Sequence, residues 1–125
     1  MSPKILIIED NLDVRNLLRI YLMDYYAVTI ADSDAALVAW EIQPDLILLT
    51  MQSATINGYE IIEELRIQHS TAPIIALLNA EKEAQEQALA AGCRVCLVKP
   101  KFKGYAVQIE FFCLFNELFF YPNLG

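Results

Sequence analysis

Hydrophobic and polar positions fall into blocks along this chain, and the period changes from block to block. "KILII" (4–8) is an apolar run after a single Lys, which predicts a strand buried on both faces. "NLDVRNLLRIYLMDYY" (11–26) switches to helical spacing, with Val14, Leu17, Leu18, Tyr21, Leu22 and Tyr25 in one stripe. "AVTIA" (27–31) predicts a short strand. "SDAALVAWEIQ" (33–43) predicts a helix capped by Ser33 or Asp32 and stopped before Pro44, with Trp40 expected in the core. "DLILLT" (45–50) is again a buried strand, and "TMQSATING" after it is a loop in which Gly58 is free to take a positive φ. "YEIIEELRIQH" (59–69) predicts a helix with Ile61, Ile62 and Leu65 on its inner face. "APIIALL" (72–78), "EKEAQEQALAA" (81–91, ended by Gly92) and "RVCLV" (94–98) predict strand, helix and strand, and 104–121 predicts a last helix.

Strand and helix alternate five times, with no Pro/Gly-rich linker and no repeat. Such alternation implies a parallel sheet with helices on both faces and right-handed crossovers. The expected fold is α/β, a five-stranded doubly wound parallel sheet with five helices in a single domain spanning 1–125. In that architecture the functional crevice lies at the carboxyl ends of the strands.

Composition narrows the function. Of the 125 residues, 56% are hydrophobic and 20% charged, a balance that folds rather than stays disordered. The net charge of −7 argues against nucleic acid, because Lys99, Lys101 and Lys103 form too small a basic cluster to follow a phosphate backbone. No apolar stretch is long enough to span a bilayer, and "MSPKILIIED" lacks the pattern of a secretory signal. Three cysteines point to reduced thiols and a cytoplasmic setting. A single His, His69, excludes a multi-histidine metal site; its place at a helix end suits capping or exposure.

The strand ends supply the candidate chemistry. The first strand ends in Glu9 and Asp10, the third in Thr50, the fourth near Leu78 and Asn79, and the fifth in Lys99 and Pro100. If the first and third strands are neighbours, two carboxylates, a hydroxyl and an ammonium meet there. Paired carboxylates after a strand suit a hard cation such as Mg²⁺; they also suit a plain solvated helix start. In order and spacing, "KILIIEDN", "PDLILLT…NGYE", "PIIAL" and "AGCRVCLVKP" resemble a response-regulator receiver domain of two-component phosphorelay signalling, over about residues 3–100. That resemblance implies a flavodoxin-like sheet of order 2-1-3-4-5. By position it implies that Glu9 and Asp10 are the acid pair that holds Mg²⁺, that Gln52 lends the metal a backbone carbonyl, and that Lys99 contacts phosphoryl oxygens. Gly58 matches the turn glycine after the phosphorylation loop.

The departures from the pattern carry the functional expectation. Thr50 stands at the phospho-acceptor position, Leu78 at the Thr/Ser switch, Cys96 at the aromatic switch, and Ala54 replaces the usual loop proline. A carboxylate is already an anion and attacks phosphohistidine directly, whereas a threonine hydroxyl needs a general base. Each like-charge pair at about 4 Å costs roughly 1 to 4 kcal/mol, so Thr50 also relieves repulsion within the acid cluster and weakens any Mg²⁺ site. The expectation is a stand-alone pseudo-receiver, not an enzyme, unphosphorylated at residue 50 and acting through contacts with a histidine kinase, phosphotransfer or output protein. Two rivals stand beside it. One is a working phosphotransfer switch that uses Thr50 or another residue. The other is a flavodoxin-like cofactor binder, for which the acids of "EDN" would repel a phosphate.

Two further signals remain. Cys93 and Cys96 form a C-x-x-C, but residues three apart on a strand point to opposite faces, and no second pair completes a zinc site. The segment 105–121 carries Phe111, Phe112, Phe115, Phe119 and Phe120 around most of a helix circumference, which predicts a homodimer or partner surface.

Overall fold

The computed structural model describes residues 3–79 and 82–98. Its strands are β1 (Lys4–Ile8), β2 (Ala27–Ala31), β3 (Leu46–Thr50), β4 (Ile74–Leu78) and β5 (Val95–Val98). The described helices are α1 (Leu12–Leu22), α2 (Ala35–Ile42), α3 (Gly58–Ile67) and α4 (Lys82–Ala91). All strand pairs are parallel, in the order β2-β1-β3-β4-β5. The expected fifth helix, 104–121, and with it the five phenylalanines, lies outside the described residues.

The central strands are apolar on both sides because both sides are covered. β3 and β4 are buried along their whole length, and β1 after its first residue. Alternation divides their side chains into two layers. Leu6, Ile8, Ile47, Leu49, Ala76 and Leu78 pack with residues of α2, α3 and α4. Ile5, Ile7, Leu46, Leu48, Ile75 and Leu77 pack with Val14, Leu18 and Leu22 of α1 and with Tyr26. Each fully buried Leu or Ile is worth about 1.5–3 kcal/mol over its exposed state, so the sheet is a rigid frame for what its edges carry.

Local chemistry sets the helix ends and corrects several expectations. Asn11 and Asn57 cap α1 and α3, each side chain accepting from the two amide N–H groups of the first turn. α2 begins later than expected: Ala35 follows Asp34, whose side chain accepts from Asp32 N rather than capping the helix. α1 stops at Leu22 rather than 26, because Tyr25 N and Tyr26 N both turn back to Leu22 O. That turn puts Tyr26 in the core and leaves Tyr25 exposed. Trp40 is 59% exposed, because the short α2 turns Ala35, Ala36 and Ala39 inward instead. His69 is exposed, in the left-handed region at φ 59°, with its N–H donating to Arg66 O.

The strand order places the site. The chain leaves β1 to one side for β2, then crosses to the other side for β3. The loops after β1 and β3 therefore diverge and leave a crevice at their carboxyl ends, the switch point of such a sheet.

Candidate functional site

Register brings the first two site residues together. Ile8 lies opposite Leu49, and Glu9 N still donates to Ala31 O at 3.3 Å, so the ladder runs one residue past β1 and sets Glu9 beside Thr50. Both are completely buried. The Thr50 hydroxyl donates to Glu9 Oε2, while Asn11 N donates to Oε1 at 3.1 Å. A buried carboxylate requires such partners, since leaving one without them costs far more than any single hydrogen bond returns.

Asp10 goes the other way. Adjacent residues of an extended chain point to opposite sides, so the two acids do not share their partners. Asp10 Oδ2 accepts from Ser53 Oγ at 2.6 Å and from Thr55 Oγ1 at 2.8 Å. Burial by itself would raise this carboxyl's pKa, but hydrogen bonds from Ser53, Thr55 and backbone N–H groups outweigh it and hold the pKa below the usual value. Thr55 Oγ1 also lies 3.2 Å from Asp32 Oδ1, and Asp32 Oδ2 pairs with Arg15 at 3.3 Å. The Arg15 Nε–H donates to the Glu9 carbonyl. Arg15, Ser53 and Thr55 are not singled out by the sequence, and Asp32 is read there only as a candidate helix cap. Hydroxyls in a loop are too common to be a signal, and only the fold brings Asp32 from the end of β2 to this place.

The remaining predicted positions are located as follows. Leu78, opposite Val98 and just past the level of Thr50, is buried in the layer beneath α2 to α4. Cys96 packs partly buried against that layer, with Sγ 3.7 Å from Gln85 O. Cys93 precedes β5 and belongs to the same layer, its Sγ 3.9 Å from Met51 Sδ. The expectation that the two thiols face opposite sides is therefore corrected: Cys93 is not on the strand. Burial, then the neighbouring Cys96, push the Cys93 thiol up to about 11 against a small opposing effect of Arg66. Gln52 is exposed and bridges Asn57 across the loop. Gly58 has no positive φ; glycine is needed there because a Cβ would stand 2.7 Å from Met51 Cα and 2.8 Å from Thr50 O. An open depression of about 350 Å³ lies along residues 51–57 and Tyr59. Lys99 lies outside the described residues.

The donors left for a metal are few. Among the described residues no group of three or more His, Cys, Asp or Glu side chains is placed to hold an ion. Glu9 is turned inward to Thr50, and one oxygen of Asp10 already serves two hydroxyls. Mg²⁺ prefers near-octahedral oxygen ligands, and Asp10 with the Gln52 carbonyl would offer at most a weak site completed by water.

A parallel sheet of this order, with two acids after its first strand and the tip residue of its third strand bonded to the first of them, has the layout of a receiver-type module. The chain belongs to the response regulator receiver domain family, which matches residues 5–106. The transcriptional regulatory protein KdpE of Staphylococcus aureus is 42% identical over 106 residues, covering 80% of this chain and 45% of that protein. This chain thus spans less than half the length of that curated relative. The receiver domain of the sensor histidine kinase PA1611 of Pseudomonas aeruginosa, solved with magnesium coordinated in its active-site cleft, is 31% identical. It has a TM-score of 0.75 and covers 94% of this chain and 97% of its own. The chemotaxis protein CheY4 of Vibrio cholerae shares the fold at a TM-score of 0.77 and 22% identity, covering 91% of this chain and 98% of its own.

Proposed function

We propose that this receiver domain is not phosphorylated at residue 50 and works in one conformation through protein contacts. The observation that carries the reading is Thr50 itself: a fully buried neutral hydroxyl, spent as the donor to Glu9, where a phosphoryl acceptor needs an accessible nucleophile. The apolar Leu78 at the switch position supports it, since it has no hydroxyl to follow a phosphoryl group. Any Mg²⁺ site is weak, and the domain performs no covalent chemistry of its own. The partners are proteins of the phosphorelay: a histidine kinase, a phosphotransfer protein or an output protein.

One observation favours a second reading. The Glu9 carboxylate accepts the Thr50 hydrogen and so stands where a general base would. The same experiment separates the two. Incubation with acetyl phosphate and Mg²⁺, followed by intact mass, is expected to show no added phosphate. A stoichiometric gain that maps to Thr50 overturns the first reading and establishes the second.

A further inference from the structure

The polar groups on the Asp10 side carry an inference that deepens the single-conformation reading and rests on it. Three separate loops meet there: the one after β1 with Asp10, the one after β2 with Asp32, and the one after β3 with Ser53 and Thr55. In the PA1611 receiver domain a magnesium ion is coordinated in the active-site cleft, and a divalent cation is one way to tie such loops. Here the chain's own side chains already make the ties. Ser53 Oγ donates to Asp10 Oδ2 and accepts from Ile56 N at 3.0 Å, so one hydroxyl both closes the turn at 53–56 and anchors it. Thr55 has a single hydroxyl hydrogen and two carboxylates in reach. The 2.8 Å approach to Asp10 is the donation, and the 3.2 Å approach to Asp32 is the longer alternative. The Arg15 guanidinium neutralises Asp32 and, through its Nε–H, ties that loop to the end of β1 at the Glu9 carbonyl.

We propose that the loop over this crevice is held shut by Ser53, Thr55 and Arg15 acting on Asp10 and Asp32, rather than by a divalent cation. Residues 51–57 then have the same conformation with or without Mg²⁺, and a partner protein reads a surface that neither metal nor phosphoryl transfer resets. Arg15 acts as a positioning residue, and Ser53 and Thr55 are the anchors. The two hydroxyls hold Asp10 Oδ2, so a cation that used this oxygen would have to displace them.

The test is amide hydrogen exchange of the loop, in the wild type and in two variants, with and without millimolar Mg²⁺. The reporters are Ser53 N, which donates to Ile56 O, Ile56 N itself, and Gly58 N, which donates to Met51 O. Thr55→Val removes one anchor and leaves the Ser53–Ile56 turn intact. Asp10→Ala removes what both anchors hold. Wild-type rates are expected to be the same with and without Mg²⁺. Both variants are expected to exchange about tenfold faster at the reporters, with β1 and β3 amides unchanged, as for a local opening. Mg²⁺ that slows the wild-type loop overturns the proposal. So does either variant exchanging at the wild-type rate, or β3 opening along with the loop. Phosphate found on residue 50 in the mass measurement would instead overturn the reading of an unphosphorylated domain, and these rates would still stand on their own.

Discussion

At the scale of single residues, the question posed by a threonine at the tip of β3 has a physical answer in Glu9. A hydroxyl at that tip adds no charge beside Glu9 and supplies a donor to its buried carboxyl group. Thr50→Val keeps the shape and deletes the donor. It is expected to lower unfolding free energy by about 1–3 kcal/mol, read from urea denaturation, because a buried carboxyl group loses a partner. An unchanged midpoint would show that the hydroxyl contributes nothing there. The thiols pose a separate question. With Cys93 buried and its pKa raised to about 11, almost none of it is thiolate at neutral pH, and the thiolate is the reactive form. Peptide mapping after iodoacetamide treatment of the native protein should find Cys93 unmodified, and fully modified once the protein is denatured. Rapid native labelling of Cys93 would contradict its placement behind Met51.

At the scale of elements, the join between β3 and α3 is the tightest constraint at the site. Gly58 N donates to Met51 O at 2.8 Å, and Asn57 caps the helix that starts there. Because the atoms facing a new Cβ are backbone atoms of Thr50 and Met51, no side chain can swing aside to admit it. Gly58→Ala should therefore destabilise the fold by about 1–3 kcal/mol, the usual cost of overpacking, measured by chemical denaturation. A variant as stable as the wild type would mean that the loop and α3 move apart freely. A second join is made by Arg66 of α3, whose guanidinium donates to Ala91 O at the end of α4. Gly92, at φ 114°, leaves room for it, since a Cβ there would meet the guanidinium at 2.5 Å.

At the scale of the whole molecule, the proposed function rests on what the surface offers to partners. The described surface exposes Leu12 and Ile20 on α1, Met23 just after it, and Leu37 and Trp40 on α2. The aromatic-rich stretch 105–121 lies outside the described residues and is proposed as a contact surface from its composition alone. Sedimentation is expected to show association in the wild type and its loss in Phe112→Glu and Phe119→Glu. A monomer in all three removes the homodimer. The KdpE relative is more than twice as long as the matched region, so what that regulator does as a whole belongs to it, and this chain shares its receiver part.

Alternation of apolar strands with helices of 3.6 periodicity determined the fold class and the order of the elements, because each pattern buries its apolar atoms in only one way. The runs 4–8, 46–50 and 74–78 were legible for that reason, as was Thr50 as the residue at the tip. Helix ends were less legible: the turn after Leu22 and the inward alanines of α2 depend on hydrogen bonds and on neighbours that periodicity does not encode. The partition of the acid pair was decided only in three dimensions. Glu9 and Asp10 are adjacent in sequence, yet the pleat sends one to Thr50 and the other to Ser53 and Thr55. Arg15 and Asp32 joined them because β2 pairs with β1, a long-range contact that leaves no mark on local spacing.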